Sequence, residues 1–180
     1  MKKLPINEAF TLLEPGPAIM LTTSDNGKNN VMTITWHMVL DFSPKFAIAT
    51  GSWNYSYNAL VKNKECVIAV PAVDLSKKVI EIGCCSGAEV DKFKKFKLTP
   101  VKAENVEAPL IKECLANIEC KVIDHVEKHG LFILEGVQAW INTQRKERRT
   151  FHGNGDGTFI VDGRIINYRD LMSAKLPPGV

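Results

Sequence analysis

The chain has 180 residues, of which 45% are hydrophobic and 24% charged, and this usage and length suit an ordinary globular domain with a sizeable core. Its formal net charge of +3 is too small to indicate nucleic-acid binding, and no run approaches the ~20 apolar residues of a membrane span. We therefore expect neither a nucleic-acid partner nor a membrane partner.

The N-terminal half alternates strand signals with short helices. The basic start Met1–Lys3 is followed by Asn7, Glu8 and Glu14 rather than by an apolar core, so we expect no signal peptide and a cytoplasmic protein. The predicted elements, in chain order, are a helix over Glu8–Leu13 capped by Asn7, strands over Ala18–Thr23 and Asn29–Val39 joined by the turn Asp25–Gly27, a strand over Phe46–Thr50, a helix over Asn54–Asn63 and a strand over Cys66–Val70.

The C-terminal half contains two longer strand signals. Its predicted elements are a helix over Leu75–Ile82 capped by Asp74, a glycine-bounded loop at Gly83–Gly87, a helical turn at Asp91–Phe96, an irregular stretch over Leu98–Pro109, strands over Glu113–Val126 and Phe132–Ile141 joined by the turn Lys128–Gly130, and a final hairpin of Thr158–Val161 with Arg164–Tyr168 through Asp162–Gly163.

Tight turns between most of the strands favour an antiparallel arrangement. About six to eight strands with a few short helices predict a mainly β protein, an antiparallel barrel that is closed or split, because a barrel leaves few exposed edges. A doubly wound parallel sheet is disfavoured because strand and helix do not alternate regularly. Neither common glycine-rich nucleotide loop is present.

The first segment that could carry chemistry is the strand at residues 29–37. Its alternation places Asn30, Met32, Ile34 and Trp36 on one face, and the other face carries two threonines. A strand end rich in hydroxyls and backbone N–H groups can hold a planar ring with polar edges, such as a flavin. The plain alternative is an amphipathic strand whose threonines reflect β propensity.

The second segment, Gly51–Asn58, links a strand to a helix. Ser52, Asn54 and Ser56 suit a helix N-terminus, whose free N–H groups attract anions such as phosphate. The alternative is ordinary helix capping, with the tryptophan and tyrosines of this segment packed against the core.

The third segment, Gly83–Phe93, begins with a loop in which glycines allow a ligand to approach the backbone. Ser86 can donate to a polar ring edge and Lys92 can meet an anion, whereas the alternative is a helix C-cap followed by a surface loop. A disulfide between the adjacent Cys84 and Cys85 would be strained, so we expect none, and a soft thiol near a redox ring remains an open alternative. The five cysteines, an odd number without a C-x-x-C pair, indicate free thiols in a reducing compartment.

In order and spacing, these segments resemble the flavin reductase-like family, which has the FMN-binding split-barrel fold and includes the flavoredoxins. The resemblance spans residues 10–142. The motifs that carry it are Asn30-x-Met32-Thr33-x-Thr35-Trp36, Ser56-Tyr57, Gly83-x-x-Ser86-Gly87-x-x-x-Asp91-Lys92-Phe93 and Leu131–Val137.

The resemblance implies one FMN-binding domain over residues 1–180 and a homodimer whose interface borders the flavin, with residues 143–180 contributing to it. The cofactor-binding residues that it implies are Asn30, Met32, Thr33, Ile34, Thr35, Trp36, Ser52, Ser56, Tyr57, Cys84, Cys85, Ser86, Gly87 and Lys92. We expect no catalytic side chain and no metal site, because flavin carries the chemistry itself. Asn54 stands where the family often has a basic residue beside the phosphate-binding serine, which leaves open the cation that balances the phosphate.

The function implied is that of an FMN-dependent oxidoreductase whose electron donor is NAD(P)H or a redox partner protein. Two alternatives stay open: an electron carrier of the flavoredoxin type, and a protein that holds flavin or haem without turnover. The basic run at residues 145–149 could contact the phosphate of a nicotinamide dinucleotide or a partner protein, although a solvated face is the favoured interpretation.

Overall fold

The computed structural model describes residues 1–177, and its strands pair antiparallel throughout. The strands are β1 (Lys2–Leu4), β2 (Ile19–Asp25), β3 (Lys28–Ile34), β4 (His37–Val39), β5 (Lys45–Ala49), β6 (Glu65–Val70), β7 (Pro100–Val101), β8 (Leu110–Ile111), β9 (Ala116–Val126), β10 (Leu131–Ile141), β11 (Phe151–Gly153) and β12 (Phe159–Val161). Eight of them form one sheet in the order β3-β2-β6-β9-β10-β5-β4, with β1 also on β10. The sheet curls into a half-barrel, which confirms the predicted mainly β, antiparallel split-barrel fold.

The helices are short. They are α1 (Tyr57–Asn63), α2 (Ser76–Gly83), α3 (Lys92–Lys95), α4 (Arg169–Met172) and three 3₁₀ turns over Ile6–Leu12, Val73–Leu75 and Glu127–His129. Within the described residues, none of these helices is long and apolar enough to cross a membrane.

Two apolar cores cover both faces of strands β2 and β3. Ile19 and Leu21 point into the barrel core with Phe46 and Phe132, and Met20 points to the opposite face. There α2 and α3 cover the sheet with Val79, Ile82, Phe93 and their neighbours. Because both faces are buried, this hairpin is a fixed platform against which the helices and their connecting loops are held.

The tight turn between β2 and β3 is formed as predicted. Asn26 and Gly27 both have positive φ, at 50° and 77°, which is the conformation that an Asn-Gly hairpin turn requires. The resulting register places Asp25 opposite Lys28. Lys28, Asn30 and Met32 consequently follow one another along one side of β3.

The predicted strand over Asn29–Val39 is interrupted in the structure. It ends at Ile34, and Thr35 and Trp36 lead across to β4, which pairs with β5 instead of with β2. Strands β3 and β4 are therefore the two opposite ends of the sheet order, although only two residues separate them. This crossover brings the ends of the sheet together.

Three predicted helix starts are wrong. The first helix is a 3₁₀ turn that follows Pro5, so Asn7 lies inside it and does not cap it. Helix α1 begins at Tyr57, three residues after the predicted Asn54. Asp74 lies within a 3₁₀ turn before α2 and makes no cap hydrogen bond, since its carboxylate accepts from Arg145.

The predicted final hairpin is also wrong. Strand β12 pairs with β11 earlier in the chain, and the segment predicted as the return strand, Arg164–Tyr168, has no regular structure. The carboxylate of Asp162 accepts hydrogen bonds from the backbone and side chain of Thr150. Asp162 therefore helps to hold β11 and β12 together instead of starting a turn.

Candidate functional site

Three stretches of chain that are distant in sequence meet along one surface groove. Its wide end is a cavity of about 590 Å³, its middle one of about 320 Å³ and its narrow end one of about 190 Å³. Trp53 and Asn54 line all three cavities, so the cavities adjoin one another, and we refer to them together as the groove. Strand β3 with its crossover, the loop before α1 and the loop after α2 supply the walls.

Most of the predicted binding residues lie on this groove. Ser52, Asn30 and Ser86 line the wide end. The middle is lined by Met32, Cys84, Cys85, Gly87 and Lys92 among others. The narrow end is lined by Thr33, Ile34, Thr35 and Trp36 together with Ala49. The structure thus brings together twelve of the predicted residues, namely Asn30, Met32, Thr33, Ile34, Thr35, Trp36, Ser52, Cys84, Cys85, Ser86, Gly87 and Lys92.

Ser56 holds a groove residue, Asn30, in place without lining the groove itself. Its Oγ accepts hydrogen bonds from Thr23 Oγ1 at 3.1 Å and from Asn30 Nδ2 at 2.8 Å, and all three side chains are buried. This cluster joins the loop before α1 to the β2–β3 platform and fixes the orientation of the Asn30 amide. Ser56 itself does not line the groove cavities, and its predicted contact with a phosphate stays a prediction.

Tyr57 lies apart from the predicted site. Its ring packs edge-on against Phe132 at 5.7 Å and His125 at 5.8 Å between centroids, on the barrel side of α1. Tyr55 lines the groove instead. Tyr57 therefore does not line the groove, because its side chain faces the barrel core at the start of α1, and its predicted contact with the cofactor stays a prediction.

Gly87 is required for the third segment to close against β3. A Cβ atom at this position would lie 2.2 Å from Oδ1 of Asn30 and 2.7 Å from Cδ1 of Tyr55. Gly83 is less restricted, since its Cβ would lie 3.3 Å from Thr33 Cβ. The Thr33 hydroxyl donates to the Val79 carbonyl of α2, so this side chain ties β3 to the helix as well as facing the narrow end.

Exposed aromatic rings flank the groove. Trp36 and Trp53 are 69% and 71% exposed, and two large exposed rings beside one groove form the kind of apolar surface that marks binding sites. Met32 and Ile34 are almost fully buried in the barrel core and present only an edge to the groove. The narrow end can thus contact a flat ring through aromatic faces, strand backbone and the Thr35 side chain.

Lys92 forms part of the wall at the middle of the groove. It is buried, and its Nζ donates to the Ile82 carbonyl at 2.9 Å, near the C-terminal end of α2. Burial lowers the pKa of Lys92, and the nearby charge of Cys85 partly offsets that effect. A cation is favourable here because the last carbonyl groups of the helix carry partial negative charge.

The cation at the wide end is Lys28, which the sequence analysis did not identify. Its Nζ donates to Tyr55 Oη at 3.0 Å and lies 5.0 Å from the centre of that ring. The nearby carboxylate of Asp25 is balanced by Lys62 at 2.6 Å, which holds the pKa of Asp25 below its ordinary value. In residues 1–177 no carboxylate pairs with Lys28, so its charge is available to an anionic ligand.

Lys28 could have been identified by taking every second residue of β3, starting from the predicted turn. It lies two residues before Asn30 and four before Met32 on the same side of β3, and both of those residues were predicted. Trp53 and Tyr55 were missed as ligand-facing residues because an aromatic side chain beside a strand predicts core packing equally well.

The groove suits an elongated ligand that has a flat ring at one end and an anionic group at the other. The curled antiparallel sheet, with this groove along β3, defines the class of small split-barrel proteins. Residues 13–158 match the flavin reductase like domain, and the chain belongs to this family, which confirms the resemblance inferred from the sequence.

Relatives and solved structures agree with this assignment. An uncharacterized protein of Archaeoglobus fulgidus is 42% identical over 159 residues, which cover 86% of this chain and 81% of the relative. The fold is similar to an FMN-binding domain of a flavin reductases-like enzyme from Shewanella baltica, with a TM-score of 0.85, 24% identity and coverage of 92% of this chain and 95% of that one. It is also similar to a flavoredoxin of Desulfovibrio vulgaris, with a TM-score of 0.76, 24% identity and coverage of 84% and 89%.

Proposed function

We propose that the groove binds FMN and that the protein is an oxidoreductase that moves electrons through it. The observation that carries this proposal is the convergence of three distant segments on one groove whose wide end holds Lys28, a cation with no carboxylate partner in residues 1–177. Structures of similar fold are described as FMN-binding or as flavoredoxins, which supports the same cofactor.

The residues of the groove divide into two sets. Lys28, Ser52 and Asn58 line the wide end and would hold the phosphate. Ser86 and the backbone around Gly87 would border the ring, and Trp36 and Trp53 would shield it from water. When bound, FMN supplies hydride and electron transfer itself, so the side chains are needed for binding, orientation and exclusion of water.

The electron donor distinguishes the candidate activities. A flavin reductase would accept hydride from NADH or NADPH, whereas an electron carrier would be reduced by an iron–sulfur protein. Because the fold is similar to a flavoredoxin as well as to a flavin reductases-like enzyme, both kinds of electron donor should be tested. Anaerobic addition of NADH, NADPH and a reduced iron–sulfur protein to the FMN-loaded protein, followed at the visible flavin bands, identifies which of them bleaches the flavin. A protein that holds flavin or haem without turnover would be bleached by none of them.

Replacing Lys28 by glutamine is expected to weaken FMN binding by about tenfold or more, because a charged partner of the phosphate is lost. Binding of riboflavin, which lacks the phosphate, should change little. Flavin fluorescence titrations with both ligands measure the two affinities. Lys112→Gln, which makes the same charge change outside the groove, is the matched control.

Two results would contradict this proposal. Wild-type protein that stays colourless after incubation with FMN would exclude the groove as a flavin site. Equal losses of FMN and riboflavin affinity in the Lys28 variant would mean that Lys28 does not hold the phosphate.

We also propose that the protein is a homodimer to which residues 143–180 contribute, of which residues 178–180 lie outside the described part of the chain. Ile165 and Leu171 are 91% and 84% exposed in the single chain, and Ile166, Tyr168 and Met172 are exposed beside them. So many exposed apolar side chains in one short segment are typical of a surface covered by another subunit.

Sedimentation equilibrium is expected to give the mass of two 20.0 kDa chains. Leu171→Asp should shift the population toward monomer because a charge would be buried in the interface. The control Thr11→Asp adds the same charge at an exposed polar position outside residues 143–180. A wild-type monomer at micromolar concentration would contradict the proposed dimer.

A further inference from the structure

The five cysteines divide sharply by accessibility. Cys66, Cys114 and Cys120 are 0% exposed in the core, and burial raises the pKa of the Cys114 and Cys120 thiols. Cys84 is exposed and Cys85 is partly exposed. All five lie within the described part of the chain and are free thiols, so the accessible ones are the adjacent pair at positions 84 and 85.

This pair lies in the wall of the groove. Both residues follow Gly83 at the end of α2, and both line the middle cavity together with Lys92. Cys85 Sγ is 3.8 Å from the Ile82 carbonyl oxygen, which also accepts the hydrogen bond from Lys92 Nζ. The Cys85 sulfur and the Lys92 ammonium group therefore share one carbonyl acceptor in the wall of the groove.

Adjacent cysteines in this setting are suited to a shared ligand. A disulfide between neighbouring residues is strained, whereas two thiolates on one turn can both bind a single soft ion. The second sulfur binds at high effective concentration once the first has bound, which favours a ligand that takes two sulfurs over a reagent that takes one.

We propose that Cys84 and Cys85 form a dithiol site for a thiophilic metalloid or soft metal ion. The probe is phenylarsine oxide, whose arsenic(III) forms two As–S bonds. The two thiol protons leave with the arsenical oxygen as one water molecule, and arsenic stays in the +3 state. The site overlaps the middle of the groove, so we infer, on the basis of the proposed FMN function, that ion and flavin exclude each other.

Intact-mass analysis of the native protein without flavin is the first experiment. Wild type should gain one phenylarsine adduct per chain, and Cys84→Ser and Cys85→Ser should each gain none. Native alkylation with iodoacetamide should label two thiols in wild type and one in each variant. Ser86→Ala, which keeps both sulfurs in the same loop, should retain the adduct.

Three outcomes would overturn the dithiol site: no adduct on wild type, an adduct that persists in both serine variants, or alkylation of the core cysteines at the same rate. Thermal unfolding midpoints of both serine variants should match wild type. Cys84→Ala and Cys85→Ala replace any serine variant that unfolds early, and the same loss of the adduct is expected from them.

The second experiment tests mutual exclusion. Protein loaded with FMN should take up the arsenical at least about tenfold more slowly than protein without flavin, because bound ligand protects the groove. Equal rates in FMN-saturated protein would overturn the overlap. If the chain binds no FMN at all, the proposed function fails, while the adduct on flavin-free protein still decides whether the dithiol site exists.

Discussion

Replacing Glu119 by glutamine is expected to lower the free energy of unfolding by about 3–5 kcal/mol. The Glu119 side chain is 0% exposed, and its carboxylate accepts four hydrogen bonds. The donors are Trp140 Nε1 at 2.7 Å, the Asn105 backbone at 2.6 Å, the Asn105 side chain at 3.1 Å and the Glu104 backbone at 3.1 Å. A glutamine amide would turn an N–H group toward some of these donors, leaving buried polar groups unpaired.

Denaturant unfolding at a fixed chain concentration measures this effect, since association changes the apparent stability. The matched control is Glu113→Gln, whose carboxylate accepts from the Thr99 backbone at 3.0 Å near the surface. That change should cost less than about 1 kcal/mol. Similar small losses in both variants would show that the buried carboxylate does not stabilise the fold.

Replacing Gly87 by alanine is expected to reduce FMN affinity about 100-fold, or by about 2.7 kcal/mol. The added Cβ would lie 2.2 Å from Asn30 Oδ1, and Asn30 is held by its 2.8 Å bond to Ser56. Either the loop moves away from β3 or the buried Asn30–Ser56 pair breaks, and both responses deform the groove. Overpacking of this kind should also cost about 1–3 kcal/mol of stability.

Two other glycines give a graded comparison for the same flavin titration. In Gly83→Ala the added Cβ would lie 3.3 Å from Thr33 Cβ, so we expect a smaller loss of FMN affinity. In Gly163→Ala the added Cβ would have no neighbouring atom within 4 Å, so this variant should bind FMN as wild type does. A Gly87 variant that binds FMN as tightly as the Gly163 variant would show that close contact between the loop and β3 is not needed.

The strands of the barrel were predictable because their apolar runs are long and their turns carry strong signals. The prediction of Cys66–Val70 differs from β6 by one residue, and the Asn26-Gly27 turn sets the register of β2 and β3. The break at Thr35 and Trp36 was not predictable, because both residues favour strands and only the closure of the sheet separates β3 from β4.

The candidate site was predictable as three segments but not residue by residue. Tyr57 was assigned to the cofactor through the family resemblance, but its side chain does not line the groove, whereas Tyr55 does. Ser56 was predicted to bind phosphate directly, and no sequence pattern indicated that its hydroxyl accepts hydrogen bonds from Thr23 and Asn30. Contacts of this kind join residues more than 25 positions apart, which local sequence patterns do not encode.

The two-residue crossover between β3 and β4 has a consequence for changing ligand preference. Thr35 and Trp36 close the sheet and at the same time line the narrow end of the groove. Substitutions there would alter architecture and recognition together, whereas Ser52 and Tyr55 stand on a loop outside the sheet. Engineering of new specificity should therefore begin with that loop and leave the crossover intact.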